Sequence, residues 1–571
     1  MAAAPEQGVP EAEEGPLFGA RELAPSPSPA CRRAGMPRPA GCWLAASALG
    51  LAGCCAAAWA AAARGPAVAA GPADGRPLIE GRPAALVEYP AASGGVEFWQ
   101  TALGVGRLQR LPDLTLEPDF AAPGPVVNLD QTLQDQEILG FGGAFTESSA
   151  VVFQGMTPEL QDALLDQYFG SEGLAFTMGR VHINSCDFSR GSYSFDDHPG
   201  DYNLTFFDSG VTRDTNALIP FISRAKMAVE RSGQALRLLA SPWSPPAWMK
   251  TNGKMDGSIL PGLRAECGAT WALYIARWIS AYRQKGLPIW AITVQNEPEA
   301  SSRWEACTYT PDGEAEFLGK HLGPTMRQWH PEVAIFVHDH NKDHIYTFAS
   351  ASYRHPTAWQ YVHGVAFHWY AGDHFQGVQA VHKDFPQATL LASEATYEKH
   401  RWRAGAVAPP EEWSFGEGYA HDIIGDLNAG ANGWIDWNLL LDTGGGPNHV
   451  GNMCDAAMVA GTDTLRLHPQ YYFLGHFSKF IPPGSRRVAS SVQGSVTFAG
   501  ATRPYGTCTA EDGLEATAFI RPDSRVAVVV LNCGDGTIDF KIRNGESALR
   551  ASIPPHAIQT YILPQDAVLP A

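Results

Sequence analysis

The sequence predicts an α/β fold, a (β/α)8 barrel joined to an antiparallel β-sandwich. From Ile138 onward, eight β-branched or apolar runs alternate with helical segments, the pattern of a closed parallel barrel. Near His476 the pattern changes to short alternating runs separated by turn residues, which reads as a sandwich. The length of 571 residues exceeds what one hydrophobic core usually serves, so a main domain with a smaller one is expected.

The barrel strands are expected in ILGFGGAF (138–145), LAFTMGRVHI (174–183), ALRLLASPW (235–243), PIWAITVQNE (288–297), VAIFVHDH (333–340), HGVAFHWY (363–370), ATLLASE (388–394) and GWIDWNLLL (433–441). The helices between them have legible starts and faces. Thr157-Pro158 places a capping hydroxyl before a proline at the first helical position, and Leu160, Leu164 and Leu165 recur at helical spacing toward Tyr168. Trp271, Tyr274, Ile275, Trp278, Ile279 and Tyr282 form a second apolar stripe that Gly286 ends, and their spacing marks them as core. VQGSVTFAG, LEATAFI, RVAVVVLN, TIDFKI and IQTYIL supply the sandwich to about Leu563, with pieces such as LTLEP (114–118) adding strands from before the barrel. The expected plan is a leader over 1–95, sandwich strands over 96–137, the barrel over 138–475 and the sandwich over 476–571.

Residues 1–35 are rich in Ala, Pro, Glu and Ser without periodicity, which predicts disorder. The uncharged stretch from Ala40 to Ala63, preceded by Arg32, Arg33 and Arg38, reads as a signal peptide if translation starts at Met36 and as a retained anchor if it starts at Met1. A lysosomal or secreted location follows as an expectation, with membrane association through the leader. Asn203-Leu204-Thr205 is then a glycosylation candidate. Ten cysteines without a CxxC spacing do not make a disulfide-dense scaffold, and a net charge of -18 gives no support for a nucleic-acid surface.

The chemistry is argued from the barrel rim. Glu297 ends the fourth run and Glu394 the seventh, which brings both carboxylates to the face where such barrels keep their catalytic groups. Glycosidic hydrolysis needs this pair: an acid for the leaving oxygen and a second carboxylate as nucleophile or as base. Asn296 is placed to donate to a sugar hydroxyl, Asp187 to accept from one, and Trp243 to cover a sugar face. His368, Tyr370 and Arg180 are placed to hold the nucleophile ionised. Bland readings compete. A glutamate before proline is often a solvated strand end, and Arg180 alone could simply pin the barrel through ion pairs. His338, Asp339 and His340 resemble a metal cluster, but strand alternation lets only the two histidines share a face, so no metal site is expected. GFGGAF lacks the spacing and the lysine of a nucleotide loop.

The runs GFGGAFTESSA, SCDFS, SPWSPPAWMKTNG, NEPE, VHGVAFHWYAGD, LLASEATYE, GWIDWNLLLDTGGGPN and YYFLGHFSKFIPPGS, in this order over about residues 110–565, resemble glycoside hydrolase family 30 and within it the glucosylceramidases. The resemblance implies a retaining enzyme that removes β-linked glucose from glucosylceramide without a cofactor. By motif, Glu297 matches the acid/base and Glu394 the nucleophile. Asp187, Trp243, Asn296, Trp437 and Asn452 match glucose-binding positions, and Arg180, His368 and Tyr370 match supporting ones. A retaining pair is expected about 5–5.5 Å apart.

The departures are a histidine, His449, where the pattern has tryptophan; Gln295 before the asparagine; the segment after Tyr370; and the loop from Glu398 through Pro410. These are expected to shape the aglycone entrance. The family's N-terminal disulfide cluster is not visible, since no cysteine lies between Cys55 and Cys186. The implied partners are glucosylceramide or a related β-glucoside and, transiently, a membrane surface, with room for an activator protein. Family members that attack β-1,6-glucans or xylosides make a polysaccharide glucosidase or glucanase the alternative. An inactive carbohydrate- or lipid-binding module fits poorly with two retained glutamates.

Overall fold

The computed structural model describes residues 78–81, 95–398 and 409–564, so the leader with its 40–63 segment and most of the Glu398–Pro410 loop lie outside the described residues. No helix among the described residues is long and apolar enough to cross a membrane.

Eight parallel strands close a barrel: β1 (Gly140–Phe145), β2 (Met178–Ile183), β3 (Arg237–Pro242), β4 (Ile289–Thr293), β5 (Ala334–Asn341), β6 (Gly364–His368), β7 (Thr389–Glu394) and β8 (Gly433–Asn438). They pair in chain order, and β8 returns to β1. Each lies within one of the expected runs or overruns it by one residue. β4 stops at Thr293, short of Pro298, so Asn296 and Glu297 stand on the loop beyond it.

Two side-chain layers fill the barrel, set by the two-residue period of a strand. Met178, Leu239, Ala291, Phe336, Ala366, Leu391 and Ile435 form one apolar layer. At Gly142 of β1 a Cβ would stand 2.0 Å from the Met178 carbonyl oxygen, so only glycine allows this approach of β1 to β2. Two residues further along the strands come Arg180, Ser241, Thr293, His368, Ser393 and Trp437, an almost wholly polar layer below the rim.

The helices follow their sequence signals. Thr157 caps Pro158–Phe169 by accepting from the Leu160 amide, and Leu160, Leu164, Leu165 and Tyr168 are buried. In Gly268–Gln284 the six aromatic and isoleucine stripe residues are all fully buried.

The second module is a ten-stranded sheet made from residues on both sides of the barrel. Val96–Ala102 pairs with Ala557–Leu563, and Val126–Glu137 lies between Arg486–Gln493 and Ile538–Asn544, the last pairing parallel in an otherwise antiparallel sheet. The sheet curls over one apolar core, across which Phe540 meets Tyr561 edge-on at 6.3 Å. The expected strand VQGSVTFAG is displaced: pairing runs over Arg486–Gln493 and ends before Gly494, whose φ of +76° turns the chain away. Cys508 and Cys533 form a disulfide, while Cys186, Cys267, Cys307 and Cys454 are buried free thiols. The helix Pro469–Ser478 joins the two modules. Its buried His476 contacts Thr560 at 2.8 Å and Thr101 at 2.9 Å, and burial lowers its pKa to about 3, so the ring joins the modules uncharged. A small sheet of Leu78–Glu80, Leu441–Asp442, Met458–Ala460 and Thr464–Leu467 was not expected.

Candidate active site

The polar layer converges on one carboxylate, Asp339 of β5. Its Oδ2 accepts from Arg180 Nη2 at 2.8 Å, Ser241 Oγ at 2.9 Å and Thr293 Oγ1 at 2.7 Å. Its Oδ1 accepts from Ser393 Oγ at 2.6 Å and faces His368 Nε2 at 3.0 Å. Five strands thus point donors at a sixth. Burial opposes the charge, but Arg180 and these hydrogen bonds outweigh it and hold the Asp339 carboxyl well below the usual range. The strand reaches this geometry through a bulge. Register shifts between His338 and His340, with φ of +74° at His338 and +54° at Asp339. The bulge overturns the expectation from alternation: Asp339 turns inward and His340 faces Glu297, while His338 packs against Phe348 outside the barrel.

Arg180 carries this order to the rim. One guanidinium nitrogen bonds Glu394 Oε2, and the other bonds Asn296 Oδ1 at 2.7 Å as well as Asp339. Trp243 and Trp437 lie 4.8 Å and 5.5 Å from the guanidinium carbon and stack on each other at 5.3 Å. Tyr370 donates to Glu394 Oε1 at 2.8 Å, so both oxygens of Glu394 are held. Asn296 accepts with its oxygen, which leaves its amide nitrogen free to donate into the cavity.

Glu297 sits at φ +47°, in the left-handed region. Its Oε1 lies 3.4 Å from His368 Nδ1 and 3.6 Å from His340 Nδ1. Burial raises its pKa, yet contacts with His340 and His368 outweigh burial and bring it below the ordinary range. For His368, burial works against the charge, and Glu394, Asp339 and Glu297 reverse it, pushing the ring up to about 9. Ring and carboxyl stand close enough to pass a proton between them. His368 therefore hydrogen-bonds toward Glu297 and Asp339 and meets Glu394 through charge alone, while Tyr370 and Arg180 bond Glu394 directly.

Across the cavity, Asp187 accepts from Asn452 Nδ2 at 2.7 Å. Burial, then the Glu394 charge, push its pKa up to about 8. The cavity of about 180 Å³ is lined by Asp187, Trp243, Asn296, Glu297, Tyr370, Glu394, Trp437 and Asn452, together with Trp304, Thr396, Glu398 and Cys454. Arg180 and His368 lie behind this wall. Asn203 is exposed and lines no part of it.

Gln295 is fully buried and donates to the Trp243 backbone carbonyl at 2.8 Å, so it braces the loop behind the cavity and does not line its entrance. His449 bonds the Ser189 carbonyl at 2.9 Å and lies 3.4 Å from Glu305, whose pKa is about 2 because His449, Ser192 and Ser185 overcome its burial. Sequence reasoning singled out Asp339 and His340 but set them aside, because a bulge leaves no mark in the hydrophobic pattern. The serines and threonine of the hub could have been found as polar residues two positions beyond each apolar one.

A barrel-end cavity with two carboxylates, stacked tryptophans and a buried arginine is the site of a glycoside hydrolase. Residues 138–481 match the glycosyl hydrolase family 30 TIM-barrel domain, and residues 484–561 match the family 30 beta sandwich domain. The chain is 33% identical over 472 residues to lysosomal acid glucosylceramidase of Mus musculus, covering 80% of this chain and 87% of that protein. It is 29% identical over 442 residues to an endo-1,6-beta-D-glucanase of Neurospora crassa, covering 75% of this chain and 86% of that protein. Among solved structures it is similar to SrfJ from Salmonella typhimurium, with a TM-score of 0.73 and 32% identity over 83% of this chain and 100% of the other. The protein belongs to glycosyl hydrolase family 30.

Proposed function

We propose that the enzyme removes β-linked glucose from glucosylceramide by double displacement. Glu394 attacks the anomeric carbon while the proton shared by Glu297 and His368 passes through Glu297 to the departing oxygen, releasing ceramide. Water then attacks the glucosyl ester, Glu297 takes its proton, and glucose leaves as the Glu394 carboxylate re-forms. Arg180 and Tyr370 hold the nucleophile throughout. Asp187, Asn452 and Asn296 meet the sugar hydroxyls, and Trp243 and Trp437 form the wall against the ring.

The observation that carries this reading is the size and rim of the cavity. About 180 Å³ between Trp243, Trp304 and Trp437 suits a single terminal sugar ring better than a continuous glucan chain. Exposed apolar side chains belong to the segments that carry the lining: Met453, 38% exposed, lies between the lining residues Asn452 and Cys454, and exposed Ile259 and Leu260 lie on a loop tied through Ser258 to Ser301 and Thr308, on either side of Trp304. Such a rim favours a lipid aglycone and transient contact with a membrane surface. The Cys508–Cys533 disulfide supports an oxidising lysosomal or extracellular setting.

The similarity to an endo-1,6-beta-D-glucanase keeps a β-1,6-glucan substrate as the second reading. The deciding experiment compares kcat/KM at pH 5.5 for glucosylceramide in detergent micelles and a β-1,6-linked gluco-oligosaccharide. Preference for glucosylceramide is expected; preference for the oligosaccharide keeps the two-glutamate chemistry and refutes the lipid substrate.

A further inference from the structure

His340 has no part in the double displacement, yet the bulge in β5 turns it onto the Glu297 carboxylate. Its Nδ1 lies 3.6 Å from Glu297 Oε1, and His368 Nδ1 lies 3.4 Å from the same oxygen. One ligand atom from each of the three residues falls within 4.8 Å of the others. Tetrahedral zinc with bonds of about 2.0–2.1 Å places neighbouring ligand atoms about 3.3–3.4 Å apart, so the two Glu–His separations already approximate tetrahedral edges.

Three further features suit a cation. Two histidines and one glutamate are a known three-ligand zinc set that leaves a fourth position open, and here Glu297 lies on the cavity wall. His368 turns its other nitrogen to Asp339 Oδ1 at 3.0 Å, the carboxylate–histidine arrangement that orients a metal-binding ring. His340 Nδ1 is buried and makes no hydrogen bond. The carboxylates of Glu297, Glu394 and Asp339 face Arg180 and the His368 ring here, and a bound cation takes the place of the proton at His368 Nδ1, which leaves to solvent. A second convergence, of His421, Cys508, Asp512 and Glu515, lacks this character: Cys508 is in the disulfide, and Arg503 already bonds Asp512.

We propose that Glu297, His340 and His368 form a binding site for Zn2+ or a similar divalent transition metal, and that filling it inhibits hydrolysis by occupying the Glu297 carboxylate. The inhibition rests on Glu297 being the acid/base; the binding does not.

Cobalt(II) added to the full-length enzyme separates the two. One equivalent is expected to give the intense visible bands of a low-coordinate cobalt site, displaced by Zn2+ and removed by a chelator. In His340→Gln the bands should vanish, and the zinc concentration for half inhibition, measured against that variant's own rate, should rise at least about tenfold for the lost ligand. His340→Asn serves the same purpose if the glutamine variant does not fold. Absence of the bands, or bands and zinc sensitivity unchanged by loss of His340, overturns the site and leaves the hydrolytic reading intact. Bands that depend on His340 without zinc inhibition keep the site and overturn the inhibitory switch together with the acid/base role of Glu297.

Discussion

Replacing Asp339 by Asn tests whether the hub organises the site. The amide nearly matches the carboxylate in shape, but it brings no charge and exchanges one acceptor oxygen for a donor. Two or three of the contacts from Arg180, Ser241, Thr293, His368 and Ser393 then become donor against donor, in a place with no solvent access. Removing one member of a buried ion pair costs about 3–5 kcal/mol, and the remaining Glu394 partner of Arg180 keeps the loss within that range. Arg180 also bridges Glu394 and Asn296, so its displacement should lower kcat/KM about a hundredfold, the effect expected of a misplacement near 1 Å. Urea unfolding followed by tryptophan fluorescence measures the first effect, and hydrolysis of an aryl β-glucoside at 20 °C measures the second, below the unfolding range. The folded carboxyl of Asp339 is held below its unfolded value, so its contribution is complete above the unfolded pKa near about 4 and falls as pH drops toward the folded value. The gap between parent and variant should therefore narrow below that pH. A variant within about 1 kcal/mol of the parent at pH 6, with unchanged kcat/KM, would refute the hub.

Glu394→Gln should form no covalent adduct with a 2-fluoroglucoside; labelling at another residue would remove Glu394 from the nucleophile's role. Tyr370→Phe deletes one hydrogen bond to that carboxylate, and a loss of about 1.5–3 kcal/mol should lower kcat roughly 10- to 100-fold with little change in KM. The Cys508–Cys533 bond closes a separation of 25 residues, so Cys508→Ser with Cys533→Ser should lower unfolding stability by about 3.5 kcal/mol under non-reducing conditions. The hydrogen bond to Glu305 raises the His449 pKa, so the pair stabilises the fold below the unfolded histidine value and is lost as pH rises through the folded one. His449→Ala should then lower the melting temperature more at pH 5.5 than at pH 9, where only the bond to the Ser189 carbonyl is lost.

The barrel was legible because each strand is a short β-branched or apolar run closed by turn residues, and because Thr157-Pro158 and the Trp271–Tyr282 stripe mark helices unambiguously. Glu297 and Glu394 could be found from their position at strand ends, as could Arg180, since an arginine inside an apolar strand must find acidic partners. Asp339 could not, because alternation assumes an unbroken pleat and β5 breaks it between His338 and His340. That His368 also bonds toward Glu297 and Asp339 was equally hidden, since neither partner is its neighbour in the sequence. Strands of two to four residues such as Leu441–Asp442 and Thr464–Leu467 carry too few positions for any period to show.

The pairing of the sheet also dictates the order in which a nascent chain can fold. The barrel closes once β8 has left the ribosome, since β8 pairs with β1. Val96–Ala102 and Val126–Glu137 are made before any of it, yet Val96–Ala102 must wait for Ala557–Leu563, and Val126–Glu137 for Arg486–Gln493 and Ile538–Asn544. Throughout synthesis of the barrel these early strands lack the late neighbours that cover their edges, the condition in which chains associate wrongly. A premature stop before Ala557 would thus do its harm far upstream, leaving Val96–Ala102 without one of its two neighbours beside an otherwise complete catalytic barrel.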